Sequence, residues 1–143
     1  MPYTVKDKKL LEGVQRRATK LAPELKNLPY EERLIALNLM TLEDRRIRGD
    51  IIETFKIIKG FTNIDSTQFF NVQASDRLRG HSLKLTKPRC NTQLRQHFFS
   101  QRVIQRWNNL RQYVIDADSV NDFKNKLNDY YKKHGFGSTN STI

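Results

Sequence analysis

From Arg77 to Ile115 the sequence holds no Asp or Glu across 39 residues. The same stretch carries nine of the chain's 26 Lys and Arg, namely Arg77, Arg79, Lys84, Lys87, Arg89, Arg95, Arg102, Arg106 and Arg111. The remainder has 17 basic and 15 acidic residues, so +9 of the formal +11 sits in about a quarter of the chain. Such a concentration is costly through self-repulsion, and a polyanion is the usual partner that relieves it. Nucleic acid is the expected partner. An anionic membrane surface and a merely solvated basic face are the alternatives.

Other absences narrow the class further. A single cysteine, Cys90, excludes an internal disulfide framework. No apolar run approaches the length of a membrane span, and the first residues lack the apolar core of a signal peptide. The expected setting is intracellular, in nucleus or cytoplasm. The Asn140-Ser141-Thr142 sequon is then a chance match. Cys90, His81, His97 and His134 are too scattered for a zinc site, and no glycine-rich phosphate loop is present. The paired acids Glu31-Glu32 and Glu43-Asp44 fall at helix starts, where the dipole favours them. The chain is therefore read as a non-enzyme, with no cofactor, no metal and no small-molecule substrate.

Hydrophobic residues make up 37% of the chain, which limits the core, but eight Phe, five Tyr and one Trp argue against disorder. The expected fold is mainly α: a small helical domain of about five helices, with a short strand or extended loop near 82–86. Residues 1–60 form the N-terminal helical part. Residues 61–94 form an irregular basic connection, 95–134 a C-terminal helical pair, and 135–143 a disordered tail.

Periodicity supports these elements. Leu10, Leu11, Val14, Ala18, Leu21 and Ala22 share a third of a helical wheel, and the helix should end near Pro23. Pro29 opens a second helix that buries Leu34 and Leu37. Thr41 caps a third helix, with Ile47, Ile51, Phe55 and Ile58 inward and Gly60 as its stop. Arg45, Arg46 and Arg48 are balanced by Glu43, Asp44, Asp50 and Glu53, which predicts a salt-bridged surface. Phe99, Val103, Trp107, Leu110 and Val114 lie on one face of a further helix, with Arg95, Arg102 and Arg106 as a ridge beside it. Ser119 caps the last helix, whose apolar face is Val120, Phe123, Leu127 and Tyr130.

Arginine pairs with phosphate through a planar fork and stacks on bases. The residues expected to bind nucleic acid are Arg77, Arg79, Lys84, Lys87, Arg89, Arg95, Arg102 and Arg106, with Arg16 and Lys20 in second rank. Lys9, Arg16 and Lys20 lie opposite the apolar stripe of the first helix, while Arg17 sits at its edge. Phe98 and Tyr113 are the aromatics free to meet solvent; Phe99 and Trp107 belong to the core. His81 and His97 read as surface histidines within reach of phosphate.

Six phrases occur in a familiar order. They are residues 11–20, Leu28-Pro29-Tyr30-Glu31-Glu32-Arg33-Leu34 followed by Leu39 to Leu42, and Arg45-Arg46-Ile47-Arg48-Gly49-Asp50. Then come Arg79-Gly80-His81-Ser82-Leu83-Lys84-Leu85, Phe98 to Ile104 with Trp107-Asn108, and Ser119-Val120-Asn121-Asp122-Phe123-Lys124. Together they resemble the C-terminal region, thumb and post-palm, of reverse transcriptases from non-LTR (LINE-type) retrotransposons of the jockey and chicken-repeat group. The resemblance spans residues 5–131. It implies a fragment of an RNA-directed DNA polymerase that grips template RNA or an RNA–DNA hybrid, with packing on the polymerase palm. The family's catalytic motif needs an Asp-Asp pair, which this sequence lacks, so catalysis is not implied. The other reading is an inert relic or a protein–protein interaction module.

Overall fold

A computed structural model describes residues 4–73 and 79–135. Arg77 and all but the first residue of the expected tail lie outside them. The described chain is mainly helical, as expected, with no sheet. Its helices are α1 (Val5–Ala18), α2 (Tyr30–Ala36), α3 (Leu42–Ile58), α4 (Gln93–Gln96), α5 (Phe99–Arg102), α6 (Ile104–Asn108), α7 (Gln112–Ile115) and α8 (Val120–His134). None is long and apolar enough to cross a membrane. The chain divides into two compact units, Met1–Arg46 and Ile47–Ile143.

In the first unit, Thr4 caps α1 by accepting from the Asp7 amide. The helix stops at Ala18, earlier than Pro23. Thr19 diverts the C-terminal carbonyls, donating its hydroxyl to the Arg16 carbonyl at 2.9 Å. The buried Arg33 then donates to Thr19 Oγ1 at 3.0 Å, to the Leu28 carbonyl at 2.7 Å and to the Arg16 carbonyl at 3.3 Å. Tyr30 donates to Glu12, and Gln15 donates to Tyr30 Oη and to the Met40 carbonyl. Asn38 takes φ 52° beyond α2, and the Leu39 amide reaches back to the Leu34 carbonyl at 2.8 Å. Leu34 is buried as expected; Leu37 is exposed.

The second unit encloses the hydrophobic core. Ile47, Ile51 and Phe55 of α3 meet Trp107, Leu110 and Val114, together with Phe123, Leu127 and Tyr131 of α8. The Phe55 and Phe123 rings stack with centroids 4.0 Å apart. Val120 and Tyr130 pack half-buried against the core as expected, and Tyr131, which was not expected there, is buried with Phe123 and Leu127. Ser119 caps α8 as predicted. Gly60 ends α3 at φ 76°, with the Phe61 amide bonded to the Lys56 carbonyl.

Two expectations change here. The helix expected over 95–115 is broken at Phe98 and Arg111, both extended (ψ 145° and 154°). Val103, Trp107, Leu110 and Val114 are buried all the same, with Phe99 half-buried against the core, because α5 and α6 run almost continuously through Val103, which keeps a helical φ of −79° and ψ of −23°. The segment near 82–86 opens with a turn at Ser82 and Leu83 instead of a strand, and it pairs through one antiparallel bridge, Val72 with Leu85. Side chains replace the missing ladder. Asn108 accepts from the Leu85 amide at 2.8 Å and donates to the Leu85 carbonyl at 2.9 Å, and Trp107 Nε1 donates to the Leu83 carbonyl at 2.8 Å.

Candidate nucleic-acid interface

Residues 86–91 pass the α5–α6 pair without regular secondary structure, with Pro88 removing a backbone donor. Thr92 then caps α4. Helical spacing sets Gln101 beside Gln105 and Arg102 beside Arg106. Between these elements opens a cleft of about 570 Å³, whose basic lining is Lys87, Arg89, Arg102 and Arg106. Gln96, His97, Gln101, Gln105 and Cys90 supply its other polar groups.

The four cations are not equivalent. Arg102 forks onto Asp50, with Nε to Oδ2 at 2.7 Å and Nη2 to Oδ1 at 2.9 Å, and its Nη1 donates to the His97 carbonyl. This pair fixes one wall. Among the described residues, Lys87, Arg89 and Arg106 form no ion pair, and Asp50 is already taken. Three uncompensated charges face one concavity, where walls of low dielectric focus their field.

The other expected residues lie elsewhere. The Arg95 guanidinium sits 5.5 Å above the Phe98 ring. Arg79 is exposed, and the far end of the Lys84 side chain lies against Gly80, whose φ of 108° favours glycine. Arg16 and Lys20 belong to the first unit. Arg16 stacks over the Tyr30 ring at 4.5 Å, and Lys20 is exposed. Phe98 and Tyr113 are close to half exposed, and Trp107 is fully buried, as expected.

His81 departs from expectation. It is buried, not on the surface. Its Nε2 lies 2.8 Å from the Trp107 carbonyl, and its Nδ1 accepts from the Leu83 amide at 3.2 Å. Those contacts specify a neutral ring with the proton on Nε2. Burial, with Lys84 nearby, holds its pKa below the ordinary histidine value. The acids of α3 differ as well. Glu43 pairs with Lys8 and Asp50 with Arg102, so only Glu53 with Lys56 pairs within the helix.

Sequence reasoning missed Gln101, Gln105 and Cys90 as cleft residues. The signal available was the i, i+4 register they share with Arg102 and Arg106. Among the described residues, no group of three or more His, Cys, Asp or Glu could hold a metal ion.

No family model, curated protein or solved structure matches the chain. Retrotransposon reverse transcriptase and RNA-directed DNA polymerase, the descriptions expected from the resemblance, are therefore withdrawn for this chain; all-α is the one the fold carries.

Proposed function

We propose that this chain is a non-catalytic nucleic-acid-binding module that grips the phosphates of RNA or an RNA–DNA hybrid. One observation carries the reading: Lys87, Arg89 and Arg106 line a single cleft without carboxylate partners among the described residues. The phosphate backbone supplies the countercharge they lack. Phe98 and Tyr113, both close to half exposed, offer ring faces to unpaired bases, which favours RNA as the polyanion. Carboxylates in structural duty favour a non-catalytic role: Glu12 serves Tyr30 and the Leu42 amide, and Asp50 holds Arg102.

The test is fluorescence anisotropy of the full chain with a labelled RNA hairpin, single-stranded DNA and an RNA–DNA hybrid, each over a salt series. Steep salt dependence with preference for RNA or hybrid is expected. Absence of binding near physiological salt would overturn the reading.

A second reading rests on the first unit. Leu11, Val14, Ala18, Leu37, Leu39 and Leu42 line an open groove of about 460 Å³ that is mostly apolar. Apolar surface of this kind marks protein–protein contact. If that is its role, the chain self-associates with rising concentration, and Leu11→Lys abolishes the association in sedimentation.

A further inference from the structure

Among the described residues of the second unit, four aromatic side chains are close to half exposed: Phe61, Phe69, Phe98 and Tyr113. Phe61 stacks on Phe55 and Phe69 tilts against Phe70, so both rings are already engaged by the core. Tyr113 belongs to α7, no residue of which lines the basic cleft. Phe98 differs on both counts. Among the described residues no other ring packs on it; the Arg95 guanidinium alone attends it, at 5.5 Å, and 46% of the residue stays open. It directly follows Gln96 and His97, which line the cleft, and so stands one residue beyond the cleft wall. The turn that presents it is fixed. Its amide donates to the Arg95 carbonyl at 3.2 Å, and its carbonyl accepts from the Gln101 and Arg102 amides, each at 2.9 Å. Arg102, locked to Asp50, also donates to the His97 carbonyl at 2.9 Å. A lone exposed phenylalanine is ordinary. One held rigid beside three uncompensated cations is preorganised for a flat, apolar partner that arrives with phosphates.

We propose that Phe98 is a stacking platform for one unpaired base of a single strand whose neighbouring phosphates lie in the cleft on Lys87, Arg89 and Arg106. This role rests on the nucleic-acid reading above and narrows its ligand to a single strand. Bases inside a duplex are stacked on their neighbours and have no face to lend, whereas an unpaired base can be splayed onto a side chain. Every base has such a face, so the platform is tolerant of sequence. Arg102 and Asp50 serve it as positioning residues, because they tie down the turn on which the ring is mounted.

The test compares the full chain with its Phe98→Leu and Phe98→Trp variants by anisotropy. The probes are a single-stranded RNA, its RNA duplex and its RNA–DNA hybrid, equal in length and each over a salt series. Phe98→Leu keeps an apolar side chain and removes the ring. It should weaken single-strand binding about tenfold, within the range for one stacked base. Its affinity for both duplexes and its salt slope should stay unchanged, since no charge is lost. Phe98→Trp should bind the single strand at least as tightly as the parent chain. Thermal melting of both variants checks the fold. Salt-dependent binding with no single-strand loss in Phe98→Leu, an equal loss on the duplexes, or a loss in Phe98→Trp as well would each overturn this inference alone. Absence of salt-dependent binding to any probe would overturn the parent reading with it.

Discussion

The two units solve the same problem by different means. The second encloses its apolar side chains: Ile51, Phe55, Trp107, Val114, Phe123 and Leu127 are all fully buried. The first leaves most of its own outside. Leu10 is 62% exposed, Val14 56% and Ile35 80%, and α1 has no buried residue. What holds it is polar, with Arg33 fastened to Thr19 and two carbonyls and Tyr30 to Glu12 and Gln15. Hydrogen bonds of this sort contribute about 1 kcal/mol each, whereas burying one large apolar side chain contributes about 1.5–3 kcal/mol. The second unit should therefore set the stability of the chain, and the first should open more readily.

The largest expected effect tests the core. Trp107→Ala removes the biggest buried side chain and the bond to the Leu83 carbonyl. It should cost about 3–5 kcal/mol in denaturant unfolding. A loss under about 1 kcal/mol would mean the core is not where stability resides.

Arg33→Met breaks the network of the first unit, at a cost of about 2 kcal/mol. Faster hydrogen exchange should follow within residues 4–46 and not in α8. Equal acceleration in α8 would show that the units open together.

His81 gives a smaller, pH-linked effect. Its folded pKa lies below the ordinary histidine value of about 6.5. Its neutral form is thus favoured in the folded state, and the unfolded chain binds the proton first as pH falls. Its contribution is complete above pH ~6.5, declines as pH drops from there, and levels off below the folded pKa. Melting temperatures of the parent and His81→Gln chains should converge toward acid pH. A constant gap from pH 8 to 5 would contradict the buried neutral assignment.

The smallest effect, at Val14, is read against a matched change in the core. Val114→Thr buries a hydroxyl in the core and should cost about 1–3 kcal/mol, while Val14→Thr on exposed α1 should stay within about 0.5 kcal/mol. Similar losses would erase the contrast between the units.

Much of this was legible in local pattern. Helix starts at Ser119 and Thr41 and the stop at Gly60 follow from short-range capping chemistry, which a sequence displays directly. The inward stripe of Phe99 to Val114 was also readable, since burial follows spacing even where the helix breaks. Long-range commitments were hidden. Nothing near Asp50 announces that Arg102 will claim it, 52 residues away. The basic ridge therefore looked uniform, whereas Arg102 holds a wall and Arg95 covers Phe98. His81 was hidden for the same reason, as its partners are Trp107 and the fold of its own turn. The apolar stripe of α1 was seen correctly as a pattern, but periodicity cannot say whether anything covers it.

The most direct test of the central claim compares salt slopes for RNA binding by two triple variants. One replaces Lys87, Arg89 and Arg106 with Ala; the other replaces Arg16, Arg17 and Lys20. If the cleft grips three phosphates, the first variant should flatten the log–log slope by about 2–3. The second should change it far less. A slope unchanged by the cleft variant, or flattened equally by both, would contradict the account and leave only diffuse attraction to a positively charged chain.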